Sequence, residues 1–464
     1  MALQPDFPAA LFNMSGVLRA LGRLDEVRES LRPADALSPG HPDIPPAWSE
    51  LGGQFQVQGR LDEAMACYRR ALELKPAFPE AASNLGGALQ MLGELGEAQA
   101  WVQRALELRP DYPDALYNLG YVLQGQGKFE AAIDCYDRVL CARRGHGEAL
   151  WGRALSLLAM GDFARGWRDY EARYTARLVK PVTVRPDFAF PMWRGEPLSG
   201  KRILGVSEQG YGDQIQFVRY AALLARQAAA VDILADEPVH RLFRSVDGVR
   251  RVVAGTARDS KEYDCWALML SLPLRLGTVV ETIPREVPYL QPSRDDVRKW
   301  ARRLSDLPQG RLKVGLVWSG KPGYGLDRFR SMTLSTLAPL GRVPNVSLVS
   351  LQTGAAAEEA RHAAPDFPLP DLAVDMGDFA DTAALLTNLD LLIAVDTAFA
   401  HLAGALARPV WLLQSARPDW RWIHGREDSP WYPTMKITRQ AQLGEWQPVI
   451  KRVSLELANL ARQA

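Results

Sequence analysis

Cysteine and histidine are scarce in this chain. Four cysteines (Cys67, Cys135, Cys141 and Cys265) and six histidines are spread over 464 residues. They form no C-x-x-C pair and no Cys/His ligand spacing, which excludes a zinc ribbon, a zinc finger or a thioredoxin-like motif. So few cysteines in so long a chain read as free thiols in a reducing compartment. No D-x-D pair sits in a convincing strand-end loop, so no metal site and no cofactor are expected. Excess charge is also missing. A formal net charge of +1 gives no electrostatic reason to expect nucleic acid or an anionic membrane as partner. Long apolar runs are absent too, none approaching the ~18 residues of a membrane span. The opening "MALQPDFPAALFNMSGVLRALGRLDEV" lacks the charged start and apolar core of a secretion signal. The expectation is a cytoplasmic protein with no transmembrane segment.

What the chain does have is a period. Leu51, Leu85 and Leu119 are 34 residues apart, as are Gly52, Gly86 and Gly120, and Ala64, Ala98 and Ala132. Pro76 and Pro110 close two of the units, because proline cannot continue a helix. Small residues at Gly52 and Ala64 predict close approach of two antiparallel helices, with Tyr68 and Ala71 filling the seam to the next unit. Cys67, Trp101 and Cys135 share one repeat position and read as packing variants. "ALGRLDEVRESL" is an irregular first copy, and "LLAMGDFARGWRDYEARY" keeps phase while placing Gly166 where the others have alanine. The pattern resembles the tetratricopeptide repeat. It implies an all-α solenoid whose concave groove takes a protein or peptide, or a spacer or dimerisation arm.

After about Pro181 the pattern changes. "PVTVRPDFAFPMWRGEPLSGK" reads as a connector laid across a surface. Short apolar runs then alternate with helical patterns: "RILGV", a helix through "IQFVRYAALLARQ", "VDILAD", "VRRVVAG" and "YDCWALMLSLPLRLG". A charged segment, "SRDDVRKWARRLSDLPQGR", separates these from a second series: "KVGLVWSG", "VSLVSLQTG", "LAVDMGDF", "LDLLIAVD" and "RPVWLLQS". Buried runs joined by helices predict parallel sheets. The expected architecture is multidomain: a repeat solenoid over 1–180, then a pair of α/β doubly wound, Rossmann-like domains over 181–309 and 310–464. Ligands are expected at the C-terminal ends of their strands.

Three motifs stand at such strand ends. In "LDLLIAVDTAFAHLAGALARPVWLL", a strand over Leu391 to Val395 stops at Asp396-Thr397, and a helix is predicted from Ala398 to Ala407. The unpaired N–H groups and dipole of a helix start favour phosphate. Thr397 adds a hydroxyl, and His401 falls about one turn along; the competing reading is that Asp396 caps the helix and His401 packs under a loop. In "VWSGKPGYGLDRFRSMTL", Ser319, Lys321, Arg328, Arg330 and Ser331 share a glycine-bearing loop suited to phosphate oxygens. In "GVSEQGYGDQIQFVRY", Gln209, Gly210 and Gly212 form a tight turn presenting Asp213 to a cleft, as a general base or as a helix cap. This turn is not a G-x-G-x-x-G fingerprint, so NAD is discounted.

"QGYGDQIQFVRY", "VGLVWSG", "DRFRSM", "SLQTG", "DFADTAAL", "VDTAFAHLAGAL" and "WRWIHGREDSPWYPTMKITRQ" arrive in an order that resembles bacterial tetratricopeptide–glycosyltransferase fusions. Their catalytic region is of the GT-B, heptosyltransferase-like kind, and some members are flagellin glycosyltransferases using activated nonulosonic acids. The resemblance implies an inverting, metal-independent transfer from a nucleotide-sugar donor, itself a substrate, to a hydroxyl on a protein acceptor. It places Asp213 as base. It puts Ser319, Lys321, Arg328, Arg330 and Ser331 in the phosphate-contacting loop, Gln352 in the nucleotide pocket, and Asp396, Thr397, Ala398 and His401 in the donor motif. Asp419 to Trp422 receive no role beyond shaping the cleft. The alternatives are a repeat adaptor with a non-catalytic nucleotide-sugar-binding domain, or a transferase of the lipopolysaccharide type.

Overall fold

The computed structural model describes residues 14–463, apart from 15, 19–20, 38–39, 175–177, 179–181, 256–261, 322–326, 363–366 and 418. The chain divides into two compact units, Met1–Ser156 and Leu157–Ala464. Helices of six residues or more are labelled below.

The first unit is built from helix pairs. α1 spans Leu24–Leu37, α2 Ile44–Val57, α3 Leu61–Leu74, α4 Pro79–Leu92, α5 Leu95–Leu108, α6 Pro113–Gly125, α7 Phe129–Ala142 and α8 Gly147–Ala159. The turn inside each pair needs a left-handed residue, and glycine supplies it at the repeat spacing: Gly59, Gly93 and Gly127 have φ of 77°, 92° and 74°. A Cβ at Gly52 would lie 2.7 Å from Cε1 of Tyr68. Tyr68 therefore fills the seam inside its own pair, where its hydroxyl donates to Oε1 of Gln56 at 2.8 Å. Tyr136 serves both seams, since a Cβ at Gly120 would lie 2.8 Å, and one at Gly152 2.6 Å, from its ring or hydroxyl atoms. Cys67 and Cys135 are buried in these seams. Burial pushes their thiols up to about 12 and about 11, as inert packing groups require.

The second unit opens with α9, Phe163–Tyr170, and a 3₁₀ turn, Glu171–Tyr174. Two all-parallel sheets follow. The first contains β1 (Arg202–Val206), β2 (Ala230–Leu234), β3 (Val249–Val253) and β4 (Cys265–Leu268) in the order β3-β2-β1-β4. The connector does lie on this sheet: Trp193 N–H donates to the Trp266 carbonyl at 2.7 Å, and Trp266 N–H to that of Pro191 at 3.0 Å. Where one helix was expected there are two, α10 (Tyr211–Phe217) and α11 (Tyr220–Ala225), because the chain turns at Val218-Arg219.

α12, Arg294–Arg303, carries Ser293 as its N-cap, accepting from Asp296 N–H, and buries Trp300. The second sheet contains β5 (Leu312–Val317), β6 (Val346–Ser350), β7 (Leu391–Val395), β8 (Val410–Gln414) and β9 (Met435–Arg439) in the order β6-β5-β7-β8-β9. α13 (Phe379–Thr387) precedes β7, α14 (Ala398–Ala405) follows it, and α15 (Trp446–Gln463) ends the chain. Leu391, Ile393 and Val395 alternate onto the face that buries Trp446, Val449, Ile450 and Val453 of α15. Two expectations are corrected here. "LAVDMGDF" forms no strand; Ala373–Asp375 is a 3₁₀ turn. The fifth strand is instead "MKITR", whose Lys436 and Arg439 are half-buried and break the apolar run that would have advertised it.

Both strand orders reverse direction of travel once. In the first sheet that point lies between β1 and β4, in the second between β5 and β7. Loops leaving such neighbouring strands diverge to opposite faces and leave a crevice at their carboxyl ends. The three motifs singled out above follow β1, β5 and β7.

Candidate functional site

The β1 loop is built around a left-handed residue that is not a glycine: Gln209, φ 62°. Gly210, expected to make the tight turn, is extended at φ −82° and caps α10. Its N–H donates to Oδ2 of Asp213 at 3.1 Å. Glycine is required at Gly212 for another reason. A Cβ there would lie 2.9 Å from Cδ2 of His401 and 3.7 Å from Cα of Ala398, so the start of α10 touches the start of α14.

The β5 loop is held from within. Gln352 Oε1 accepts from the N–H groups of Trp318 and Ser319, both at 2.9 Å. Its Nε2 donates to the carbonyls of Ser319 at 3.0 Å and Thr353 at 2.9 Å. Every polar group of this buried side chain is spent on the loop, so Gln352 is a brace and not the nucleotide contact expected. Ser331 Oγ accepts from Gly320 N–H at 2.9 Å and from Ser319 Oγ at 3.3 Å, and donates to Oδ2 of Asp327 at 3.0 Å. These serines also shape the loop. Arg330 ties it to β7, its Nη1 donating to the Asp396 carbonyl at 2.6 Å while Nε donates to Asp327 at 3.1 Å. Lys321 and Arg328 are exposed. The Arg328 guanidinium lies 4.6 Å from the Phe329 ring centre, and that of Arg417, which the sequence reading did not single out, lies 5.3 Å from the same ring. Two of this loop's three glycines, Gly323 and Gly325, lie outside the described residues.

At the end of β7, Thr397 is the N-cap of α14 in extended backbone, yet no side chain caps the helix. Asp396 is therefore not the cap. Thr397 Oγ1 is buried without a hydrogen-bond partner among the described residues. The start of α14 keeps the unspent donors that suit an anion. His401 is not part of that surface. It is buried, stacked on Trp422 with ring centres 5.0 Å apart, and its Nδ1 lies 3.0 Å from the Tyr432 hydroxyl. Burial, reinforced by Arg421, Arg219 and Arg330, holds its pKa well below the ordinary histidine value, so the ring is neutral. It packs under Gly212 instead of reaching an anion.

Arg421 ties the loop after β1 to the segment after β8. This arginine, 8% exposed, pairs by Nη2 with Oδ1 of Asp213. Its Nη1 lies 3.0 Å from each carboxylate oxygen of Asp419. Its Nε is buried and unpartnered among the described residues. Asp213 has its pKa raised, first by burial and then by Asp419, against the pull of Arg421. Asp396 is pushed up to about 6 by burial and Asp419, with Arg330 opposing. Its Oδ1 is 3.9 Å from Nε2 of His401. Burial and mutual crowding of carboxylates is the arrangement by which functional sites shift the pKa values of their acids and bases.

Two anchors hold this centre together. Arg219, just after α10, donates to the carbonyls of Trp431 at 2.8 Å and Pro284 at 3.0 Å, and to the Tyr289 hydroxyl at 2.8 Å. Arg173, fully buried beyond α9, makes a bidentate pair with Glu208 at 2.9 and 2.8 Å and also bonds Ser271 Oγ at 2.8 Å. Glu208 accepts in turn from Leu270 N–H at 3.1 Å. These residues bind the loops leaving β1 and β4, either side of the switch point. Tyr170 accepts from Gln209 Nε2 at 3.3 Å, and its ring lies 5.7 Å from that of Trp420. Sequence reasoning did not single out Arg173, Glu208, Arg219 or Tyr432. An open groove of ≈ 550 Å³ along Arg185 to Met192 and Trp266 shares none of these residues.

Profiles described as tetratricopeptide repeat match residues 78–145 and 117–177, and one described as TPR repeat matches 57–93. Among curated proteins the chain is similar to Protein FlbA of Caulobacter vibrioides, 29% identical over 336 residues, covering 65% of this chain and 54% of FlbA. That is more of the chain than the repeat unit holds, so the similarity extends into the α/β unit. The chain spans about half the length of this curated relative. Among solved structures it is similar to a tetratricopeptide repeat protein from Parabacteroides merdae, at 24% identity and TM-score 0.32, covering 35% of this chain and 64% of that one. It is likewise similar to MamA, at 22% identity and TM-score 0.32, covering 39% of this chain and 98% of that one.

Proposed function

We propose that the unit Leu157–Ala464 is a GT-B-type glycosyltransferase, inverting and metal-independent, and that the repeats bring it a protein acceptor. What carries the reading is one juxtaposition: a carboxylate from the β1 switch point stands across from an uncapped helix start at the β5/β7 switch point. That pairs a base with an anion seat, as transfer from a phosphate-linked donor requires. In the proposed step Asp213 takes the proton of an acceptor hydroxyl, and the oxygen attacks the anomeric carbon. The bond from that carbon to the donor phosphate breaks on the opposite face, and the nucleotide leaves with the electron pair. The start of α14, Thr397, Lys321 and Arg328 stabilise the charge on the leaving phosphate. Such preorganised stabilisation is often worth about 10²–10³ in rate per donor. A protein hydroxyl such as one of flagellin, and a nonulosonic acid as the sugar, extend the reading to the class it resembles.

Incubation with a panel of nucleotide sugars and candidate acceptors, read by mass spectrometry, tests the proposal. Sugar-bearing acceptor and free nucleotide are the expected products. Removing residues 1–145 should abolish modification of a folded protein while sparing donor hydrolysis; protein modification at undiminished rate would overturn recruitment by the repeats.

A further inference from the structure

Each carboxylate oxygen of Asp213 accepts one bond. Oδ2 accepts from Gly210 N–H at 3.1 Å and Oδ1 is held by Arg421. A carboxylate paired with a guanidinium is a weaker base than an unpaired one, so release of the Arg421 bond raises the affinity of Asp213 for a proton. The backbone bond belongs to the first turn of α10 and is renewed by the helix itself. The Arg421 bond is the one able to break, because Asp419 holds Nη1 of the guanidinium by two contacts of 3.0 Å and also accepts the Arg421 backbone N–H at 2.9 Å. Arg421 also has a reason to turn. It is over nine-tenths buried, yet its Nε–H lacks a partner among the described residues, and a buried donor left without a partner is costly. The Thr397 hydroxyl at the start of α14 is also buried without a partner among the described residues.

We infer that Arg421 is a positioning residue that keeps Asp213 locked until a donor arrives, then turns about its Asp419 anchor to bond the donor's anionic group, leaving Asp213 free to accept the acceptor's proton. The inference rests on the transferase reading and deepens it. It ties proton abstraction to an occupied donor site, so the carboxylate is not released in an empty one. The charges and titratable groups facing Asp213 are Arg421 and Asp419 from the segment after β8, Tyr170 from α9, and the neutral His401 with Asp396 across Gly212. Losing Arg421 leaves burial and Asp419, both of which favour the protonated acid.

The test is the pH dependence of Arg421→Met against the unaltered full chain. kcat/KM reports the free enzyme and kcat the donor complex. If Arg421 leaves Asp213 on donor binding, the acid limb of kcat/KM moves up by about one pH unit or more in the variant, roughly a tenfold loss per unit below the limb, while the limb of kcat stays within a few tenths. Equal shifts in both limbs would mean a permanent partner, and no shift in either a packing role; each overturns the inference and leaves the transferase reading intact. Arg421→Lys, which keeps charge but not the two-sided fork, should recover the position of the limb better than the rate. A second readout is calorimetry of UDP, GDP, ADP and CMP in two buffers of different ionisation enthalpy. The inference predicts proton uptake near the limb, absent in Asp213→Asn. Binding with no proton change refutes the switch alone, and no binding of any nucleotide refutes both.

Discussion

Replacing Arg173 by methionine removes the cation that holds the β1 and β4 loops together. Its side chain is 0% exposed and that of Glu208 2%, and the two share a bidentate pair at 2.9 and 2.8 Å. Methionine fills the stem volume but leaves the Glu208 carboxylate buried with only Leu270 N–H, at 3.1 Å, to answer it among the described residues, and it takes one cation from Glu171, which keeps Arg275. Breaking a buried pair from one side costs about 3–5 kcal/mol, whereas exchanging both partners for apolar residues is often close to neutral. For a unit of about 300 residues, an unfolding entropy near 2.1 cal/mol/K per residue makes that about 5–8 °C in Tm. Arg173→Met should therefore lower the transition of the α/β unit by about that amount in thermal unfolding followed by circular dichroism. The double variant Arg173→Met, Glu208→Leu should recover most of the loss yet remain impaired in turnover, because Gln209 to Asp213 have lost their tether. A single variant shifted by less than 1 °C, or a double variant as unstable as the single, would refute the argument that charge pairing, and not packing, holds this junction.

Other consequences follow from the same geometry. Gly212→Ala drives a methyl against His401 at 2.9 Å; a cost of about 1–3 kcal/mol and weaker nucleotide binding are expected, measured by denaturant titration and calorimetry. Asp396, pushed up to about 6 from 3.8, binds its proton more tightly folded than unfolded. Its contribution therefore favours folding below the unfolded value and is progressively lost as pH rises towards 6, by about 3 kcal/mol at most. Asp396→Asn should remove that loss, so the stability difference between variant and parent grows in the variant's favour from pH 4 to pH 7 in parallel melts. Truncation separates anchor from repeats: a fragment 147–464 keeps Arg173 and should fold and bind nucleotide, whereas 181–464 should not, as light scattering and calorimetry would report.

Repeat and strand were legible for different reasons than site. The 34-residue period is stamped on the chain by helix seams that admit only small residues, so Gly52, Gly86 and Gly120 announce it without any tertiary knowledge. Strands buried on both faces, such as Leu391–Val395, are equally plain. β9 was not, because an edge strand with half-buried Lys436 and Arg439 lacks the apolar run. Asp213 and Thr397 could be found because each follows a strand and opens a helix. Asp419 to Trp422 read as shaping the cleft, but the role of Arg421 was out of reach, since its partner Asp213 lies 208 positions away and an arginine in an aromatic stretch says nothing of what it pairs with. Gln352 and His401 show the converse: chemistry-bearing side chains beside the right motif, consumed by the interior.

The most direct measurement is single-turnover transfer by the full chain and its Asp213→Asn variant, with nucleotide affinity determined in parallel. The expected result is a loss of transfer of about 10²-fold or more, with nucleotide affinity within about threefold. Transfer by the variant at the parent's rate would contradict the account.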